Sequence, residues 1–346
     1  MRFAQGFATC AFASLAMAAH AQPSPDQTHC LGGEDISADV QIAACTSVMQ
    51  SATPTDENYA VAVYNRGVAY YTKGDFEHAI ADFGNAITLK PDYACMTLTI
   101  RGNAYRREGQ FDRAVADYDE AIRLKPDYAA AFNQRGYAYQ ERGEFHRAIT
   151  DYDEAIRLSP DMAVAFNNRG MADQGEERLD RAIIDYNEAI KLNPNDLTAM
   201  RSRGTVHFSL EHYSEAAADF KEALRLAPSD PYSVLWLHLV RARAPAMETD
   251  DFSVGAETLD LAAWPGPVIS LFLGRSSPDD VRVRSQQGDV MSVKSQSCEA
   301  AFYLGEYAML RGDMASAKPL LQEAFNTCPK SYAEYLLAPA ELKRLP

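Results

Sequence analysis

The chain has 346 residues, with 48 acidic against 33 basic side chains and a formal net charge of −15. A charge of that sign opposes binding to nucleic acid or to an anionic membrane surface. Hydrophobic residues make up 47% of the chain, enough for two ordinary domains or one repeat array, and no polybasic run or long low-complexity segment is present.

Residues 1–21 read as a secretory signal. Arg2 supplies the positive start, Phe7 to Ala19 the apolar stretch, and Ala19-His20-Ala21 an A-x-A cleavage site. The apolar stretch is too short to span a bilayer, and no later run approaches the length that a membrane helix needs. Cleavage after Ala21 is expected to leave a soluble periplasmic or secreted chain that starts at Gln22. Cys10 leaves with the signal, so Cys30, Cys45, Cys95, Cys298 and Cys328 remain. An oxidising compartment permits disulfides, and an odd count leaves one thiol over. No pair has C-x-x-C spacing, so no zinc, other metal or cofactor is expected.

Residues 22–59 are expected to form an N-terminal helical cap, with a helix from Asp39 to Gln50. Cys30 paired with Cys45 would tie the Gly32-Gly33 loop onto that helix.

From residue 60 to 230 the chain repeats itself with a period of about 34 residues. Units start at Ala60, Cys95, Ala129, Ala163 and Leu197. Glycine recurs at position eight (Gly67, Gly102, Gly136, Gly170, Gly204) and alanine at position twenty (Ala79, Ala114, Ala148, Ala182, Ala216). Four residues later comes an aromatic (Phe83, Tyr118, Tyr152, Tyr186, Phe220), and a proline closes each unit (Pro91, Pro126, Pro160, Pro194, Pro228). Small residues let two antiparallel helices approach, the aromatic fills the space beside them, and proline ends the second helix. In these residues the chain resembles the tetratricopeptide-repeat (TPR) family, which implies an all-α solenoid of antiparallel helix pairs with a C-terminal helical extension.

Two details of the repeat are specific to this chain. Gly74, Gly109 and Gly143 fall in the turn between helices, whereas the fourth and fifth units place Glu177 and Glu211 there. Position seven is Arg66, Arg101, Arg135, Arg169 and Arg203, where the family usually has leucine, and position twenty-three is Asp82, Asp117, Asp151, Asp185 and Asp219. These sit on facing helices of a hairpin and predict a ladder of arginine–aspartate pairs, within a unit or across adjacent units.

Residues 231–297 are expected to be a helical linker region, with helices at Tyr232 to Arg243, Ser253 to Ala263, Pro265 to Leu273 and Ser277 to Ser285. Ser253 and Ser277 are the expected N-caps. Residues 298–346 are expected to hold a further repeat and a closing helix from Tyr332 to Lys343. Cys298 and Cys328, at positions one and thirty-one of that repeat, would lie side by side in the hairpin and form a second disulfide, leaving Cys95 unpaired.

The tail carries a narrower resemblance. Pro228-Ser-Asp-Pro-Tyr-Ser-Val-Leu-Trp236-Leu-His-Leu, Trp264-Pro-Gly-Pro-Val-Ile-Ser-Leu-Phe-Leu-Gly274 and Phe302-Tyr-Leu-Gly-Glu-Tyr resemble the NlpI family of outer-membrane TPR lipoproteins. That resemblance implies a periplasmic adaptor or scaffold that links peptidoglycan-remodelling enzymes with a processing protease, as a homodimer. The N-terminus has no lipobox, so no lipid anchor or membrane insertion is expected. The alternative is a structural TPR subunit of an envelope secretion or pilus assembly.

No catalytic residues are expected. There is no G-x-S-x-G, H-E-x-x-H or P-loop, and the acids of Asp117-Tyr-Asp-Glu and Asp151-Tyr-Asp-Glu recur with the repeat as a helix face. The TPR resemblance implies instead a peptide-binding groove lined by positions 2, 5, 6, 9, 12 and 13 of each first helix. Those positions hold Tyr64, Asn65, Tyr71, Asn103, Arg106, Arg107, Asn133, Gln134, Tyr137 and Gln140, then Asn167, Asn168, Gln174, Arg201 and Phe208. Amides can pair with a peptide backbone and tyrosines give rigid contact area. Asn133 and Asn168 are expected to be exposed. Lysine is absent from positions 2, 5, 6 and 9, which argues against a clamp for acidic C-termini. Other proteins or extended peptides are the expected partners.

Overall fold

The structure is a computed structural model and describes residues 24–33, 35–55, 57–244 and 255–346. The expected signal and the expected Ser253 cap lie outside the described residues. Helices account for the regular structure, with no strand among the described residues. The chain divides into two compact units: the described residues up to Ala138 with Arg157–Pro160, and Tyr139–Ile156 with Asp161–Pro346.

The first unit opens with α1 (Pro25–Leu31) and α2 (Ala38–Ser51). Seven residues are too few for a helix that stands alone. A reciprocal cap between Ser24 and Gln27 starts α1, and the Cys30–Cys45 disulfide joins it to α2 with Cα atoms 4.6 Å apart. Helices α3 (Glu57–Lys73), α4 (Phe76–Leu89), α5 (Ala94–Arg107) and α6 (Phe111–Leu124) form the first two repeat hairpins, and α7 (Ala129–Glu141) starts the third. Close approach requires the position-eight glycines: a Cβ on Gly102 would stand 2.6 Å from the Tyr118 ring, and one on Gly67 2.9 Å from Phe83.

The second unit continues with α8 (Phe145–Leu158), α9 (Ala163–Gly175), α10 (Leu179–Leu192), α11 (Leu197–Ser209) and α12 (Tyr213–Leu226). Glu177 and Glu211 adopt the left-handed turn conformation (φ 57° and 62°) that Gly74, Gly109 and Gly143 adopt in the earlier repeats. The turn is thus kept where glycine is not, at a backbone cost that glycine would avoid.

Arginine and aspartate do form a ladder. Arg66, Arg101 and Arg169 each place Nε and Nη2 on the two carboxylate oxygens of Asp82, Asp117 and Asp185, at 2.7 to 2.8 Å. Arg203 makes the same fork to Asp219. The remaining nitrogen, Nη1, reaches back to the preceding repeat: Arg135 to Asp119 at 2.5 Å, Arg169 to Asp153 at 2.7 Å and Arg203 to Asn187 at 2.6 Å. One guanidinium therefore closes its own hairpin and fastens it to the neighbour.

Beyond the repeats come α13 (Pro231–Arg243), α14 (Gly266–Phe272), α15 (Pro278–Ser285), α16 (Val290–Leu310), α17 (Met314–Thr327) and α18 (Ala333–Arg344). Ser277 caps α15 as expected. The helix expected from Ser253 does not continue to Ala263, since residues 257–263 run as turns and bends. Helix α16 starts eight residues before Cys298, and α16 and α17 form the last hairpin, joined by the Cys298–Cys328 disulfide with Cα atoms 4.9 Å apart. Trp236 sits among the rings of Phe208, Phe220, Phe302 and Tyr303, so the tail and the repeats of this unit share one core. Arg344 at the end of α18 donates to the carbonyls of Phe208 and Ser209, which fixes the closing helix on the end of α11.

Candidate binding site

The expected groove residues of the first unit separate into two groups. Asn103 accepts a hydrogen bond from the Tyr118 hydroxyl at 2.7 Å, and Asn133 is only 5% exposed. These two belong to the packing between helices. Tyr64, Asn65, Tyr71, Arg106, Gln134 and Tyr137 are half-buried and reach the surface, with burial pushing the Tyr64 hydroxyl up to about 12. Among them the Arg106 guanidinium lies 4.6 Å from the centroid of the Tyr137 ring, a cation–π arrangement that holds both in place. Phe76 pairs edge-to-face with Tyr71 and has the Arg107 guanidinium over its ring.

In the second unit the groove positions have a different fate. Gln140 and Gln174 accept hydrogen bonds from the buried hydroxyls of Tyr152 and Tyr186 at 3.0 and 3.3 Å. In the fifth repeat position twenty-four is Phe220, and the position-twelve residue, Phe208, is fully buried against Trp236. Asn167 and Asn168 are buried as well, Asn168 at 6% exposure. The expectation that Asn133 and Asn168 are exposed is therefore corrected: both point into packed interfaces, and truncating either would leave a gap rather than remove a surface contact.

The C-terminal helices cover the groove positions of repeats four and five. Met171 and Gln174 of α9 and Thr198, Arg201, Ser202 and Thr205 of α11 form one wall of a cavity of about 230 Å³. Tyr232 and Trp236 of α13, Glu299 of α16 and Glu334 of α18 form the other. Of the expected groove residues Gln174 and Arg201 line this cavity, and Arg201 is bonded to Asp230 at 3.2 Å.

Glu299 Oε2 accepts from the Tyr232 hydroxyl at 2.9 Å and from the Trp264 indole at 2.8 Å. Glu334 Oε1 accepts from the Tyr303 hydroxyl at 3.0 Å. Burial, followed by the Glu334 charge, pushes Glu299 up to about 8, and burial raises Glu334 as well. Sequence reasoning missed these two glutamates because an isolated glutamate reads as a surface residue. A signal was available: between Cys298 and Leu310 the only charged residues are Glu299 and Glu306, and their spacing returns to one helix face.

Two of the histidines have packing or surface roles. His238 packs edge-on against Phe272, with burial lowering it to about 4, and His78 pairs on the surface with Asp75 at 2.8 Å.

Tetratricopeptide-repeat models match residues 60–93, 102–143, 129–162 and 169–241. The chain is a tetratricopeptide-repeat protein. Among solved structures, a TPR protein from Parabacteroides merdae aligns over 82% of this chain and 97% of its own, at 16% identity and a TM-score of 0.51. That likeness is one of fold. MamA aligns over 46% of this chain and 93% of its own, at 28% identity and a TM-score of 0.41. YrrB, described as a TPR protein with an unusual peptide-binding site, aligns over 60% of this chain and all of its own, at 19% identity and a TM-score of 0.42. Tetratricopeptide repeats are in general non-catalytic scaffolds that bind proteins and peptides. No helix among the described residues is long and apolar enough to cross a membrane.

Proposed function

We infer that this chain is a non-enzymatic adaptor of the cell envelope that binds another protein through an extended segment on the first unit. The observation that carries this reading is the Arg106–Tyr137 pair, half-buried on expected groove positions and flanked by Gln134. A guanidinium stacked on a tyrosine ring is held in position before a ligand arrives, and it can donate to backbone carbonyls or to a carboxylate. Two disulfides support an oxidising compartment such as the periplasm. The likeness of the tail to the NlpI family supports a narrower role, in which the adaptor brings peptidoglycan-remodelling enzymes to a processing protease.

Selection of peptides from a displayed library on the mature chain tests the reading. Affinity of the selected peptides should fall at least tenfold in Arg106→Ala and in Tyr137→Ala, with the melting temperature little changed. Peptides that bind both variants as tightly as the parent would overturn it.

A further inference from the structure

The closing helix α18 lies over groove positions of the repeats. Glu334 and Leu336 of α18 stand across the cavity of about 230 Å³ from Met171, Gln174, Thr198, Arg201, Ser202 and Thr205. Those six are positions 9 and 12 of the fourth repeat and positions 2, 5, 6 and 9 of the fifth. A solenoid binds through such a face, and here a helix of the same chain is laid on it. The contact is incomplete, because the cavity interrupts it. The helix is also weakened from within: Pro339 stands inside α18 and removes one bond of its ladder.

The seam between α18 and α16 is lined by acids. Glu334 and Glu341 lie seven residues apart on α18, as do Glu299 and Glu306 on α16, so each pair returns to one helix face, and all four are buried. Arg243 Nη2 stands 2.7 Å from Glu306 and 3.0 Å from Glu341, and Arg344 also bonds Glu341. Arg344 is shared with Glu211. Neutral donors hold the other two acids: the Tyr232 hydroxyl and Trp264 indole on Glu299, and the Tyr303 hydroxyl on Glu334. Arg201, which faces this pair from α11, is bonded to Asp230. Four buried carboxyl groups thus meet two bonded guanidiniums, Arg243 and Arg344, and no donor among the described residues reaches Glu306 Oε1. An uncompensated buried carboxylate is costly, so the seam closes best while two of the four acids keep a proton. Burial, then the facing acid of α18, raises Glu299 and Glu306 to about 8, and burial raises Glu334 as well. The phenols beside them, Tyr213, Tyr232, Tyr303 and Tyr332, are raised by burial too and stay neutral over the same range.

We propose that α18 is a releasable cover on the groove face of repeats four and five, lifted when the glutamates along the α16–α18 seam ionise. Release separates the acids of α18 from those of α16 and returns both to water, so the closed state binds more protons than the open one. The cover is therefore firmest below the ordinary glutamate value of 4.5 and loosens as the pH rises toward about 8. The Cys298–Cys328 bridge keeps α16 and α17 together, which confines the movement to the chain beyond it. Opening of this kind is local: one face is uncovered while the repeats stay folded. This goes beyond the adaptor reading, which concerns other residues on the first unit.

Hydrogen exchange of the full mature chain between about pH 6 and about pH 8 tests the proposal, read as protection factors for peptides from α18 and from α10. Protection of α18 should fall at least tenfold more than that of α10. The emission of Trp236 and Trp264, the two tryptophans of the chain, should shift to the red over the same range, since both border this seam. In Glu299→Gln, whose amide cannot ionise, the fall in α18 protection should be at least threefold smaller. Flat protection of α18, equal losses in α18 and α10, or a folded Glu299→Gln that opens as the parent does would overturn the proposal. If Glu299→Gln loses its helical circular dichroism, the comparison of α18 with α10 in the parent chain still decides.

Discussion

Removing Asp185 should damage the fold far more than removing the exposed aspartate that holds the same arginine. Asp185 is 4% exposed and receives two charge-assisted hydrogen bonds from Arg169, at 2.8 and 2.7 Å. Breaking a buried pair from one side costs about 3–5 kcal/mol, because it strands a charge. Arg169 keeps part of its solvent contact and its bond to Asp153, so about 2–3 kcal/mol is the expected loss for Asp185→Ala. Asp153 is largely exposed, and an exposed pair contributes at most about 1 kcal/mol. Replacing both partners, Arg169→Leu with Asp185→Leu, leaves no stranded charge and restores the leucine that such repeats usually carry at position seven. That double variant should stay within about 1 kcal/mol of the parent. Urea denaturation followed by far-ultraviolet circular dichroism, with the disulfides intact, reads all three. A cost for Asp185→Ala below about 0.5 kcal/mol, or a double variant as unstable as the single, would refute the reasoning.

Glycine substitutions give a second test: Gly102→Ala drives a Cβ to 2.6 Å from the Tyr118 ring, whereas Gly84→Ala meets only Arg101 Nη1 at 3.5 Å. The first should destabilise by roughly 1–2 kcal/mol despite better helix propensity, and the second should be neutral or stabilise by up to about 1 kcal/mol, in the same denaturation assay. Stability should also fall as the pH rises from about 5 to about 8. Glu299 and Glu306 keep their protons up to about 8 in the fold, against an ordinary glutamate value of 4.5, because of burial and then of Glu334 and Glu341 beside them. In that window the folded state binds more protons than the unfolded state, so their contribution is complete below the ordinary value and is lost toward the raised one. Melting temperatures across this range should decline, less steeply in Glu299→Gln, and a rise would contradict the assignment. Mass spectrometry of the non-reduced protein cleaved after Ala21 should show the Cys30–Cys45 and Cys298–Cys328 bridges and one alkylatable thiol, Cys95. Opening the second, across a separation of 30 residues, should cost roughly 3–4 kcal/mol in the chain-entropy view.

The repeat array was legible in the sequence because each unit states its packing several times over, in the glycine, the alanine and the ring that meet between helices. The arginine–aspartate ladder could be read for the same reason, since charges at two facing positions recurred together. The left-handed turns at Glu177 and Glu211 were harder to see, because nothing in a glutamate announces a positive φ. Helix α1 was missed altogether: seven residues have little helical tendency of their own, and a cap and a disulfide supply what the segment lacks. Several of the expected groove positions are taken up by packing within the protein. Family position predicts which way a side chain points, but not whether a tyrosine hydroxyl or a distant helix will occupy it. Asn103 and Gln174 were taken up by Tyr118 and Tyr186, and Phe208 by Trp236. The tyrosine bonds lie within single repeats, and the Gln140–Tyr152 and Gln174–Tyr186 pairs recur at the same positions, whereas the cover of Phe208 by Trp236 comes from a helix beyond the repeats and leaves no periodic trace.

The most direct test of partner binding through the first unit is photo-crosslinking in living cells, with a photoreactive residue placed at Gln134 and, in a separate variant, at Leu124. Gln134 stands beside the Arg106–Tyr137 pair in sequence and on an expected groove position, whereas Leu124 is an exposed residue at the end of α6. The account predicts a discrete crosslink to another protein from Gln134 that is lost in Arg106→Ala, and none from Leu124. Crosslinks from Leu124 alone, or from Gln134 undiminished by Arg106→Ala, would contradict it.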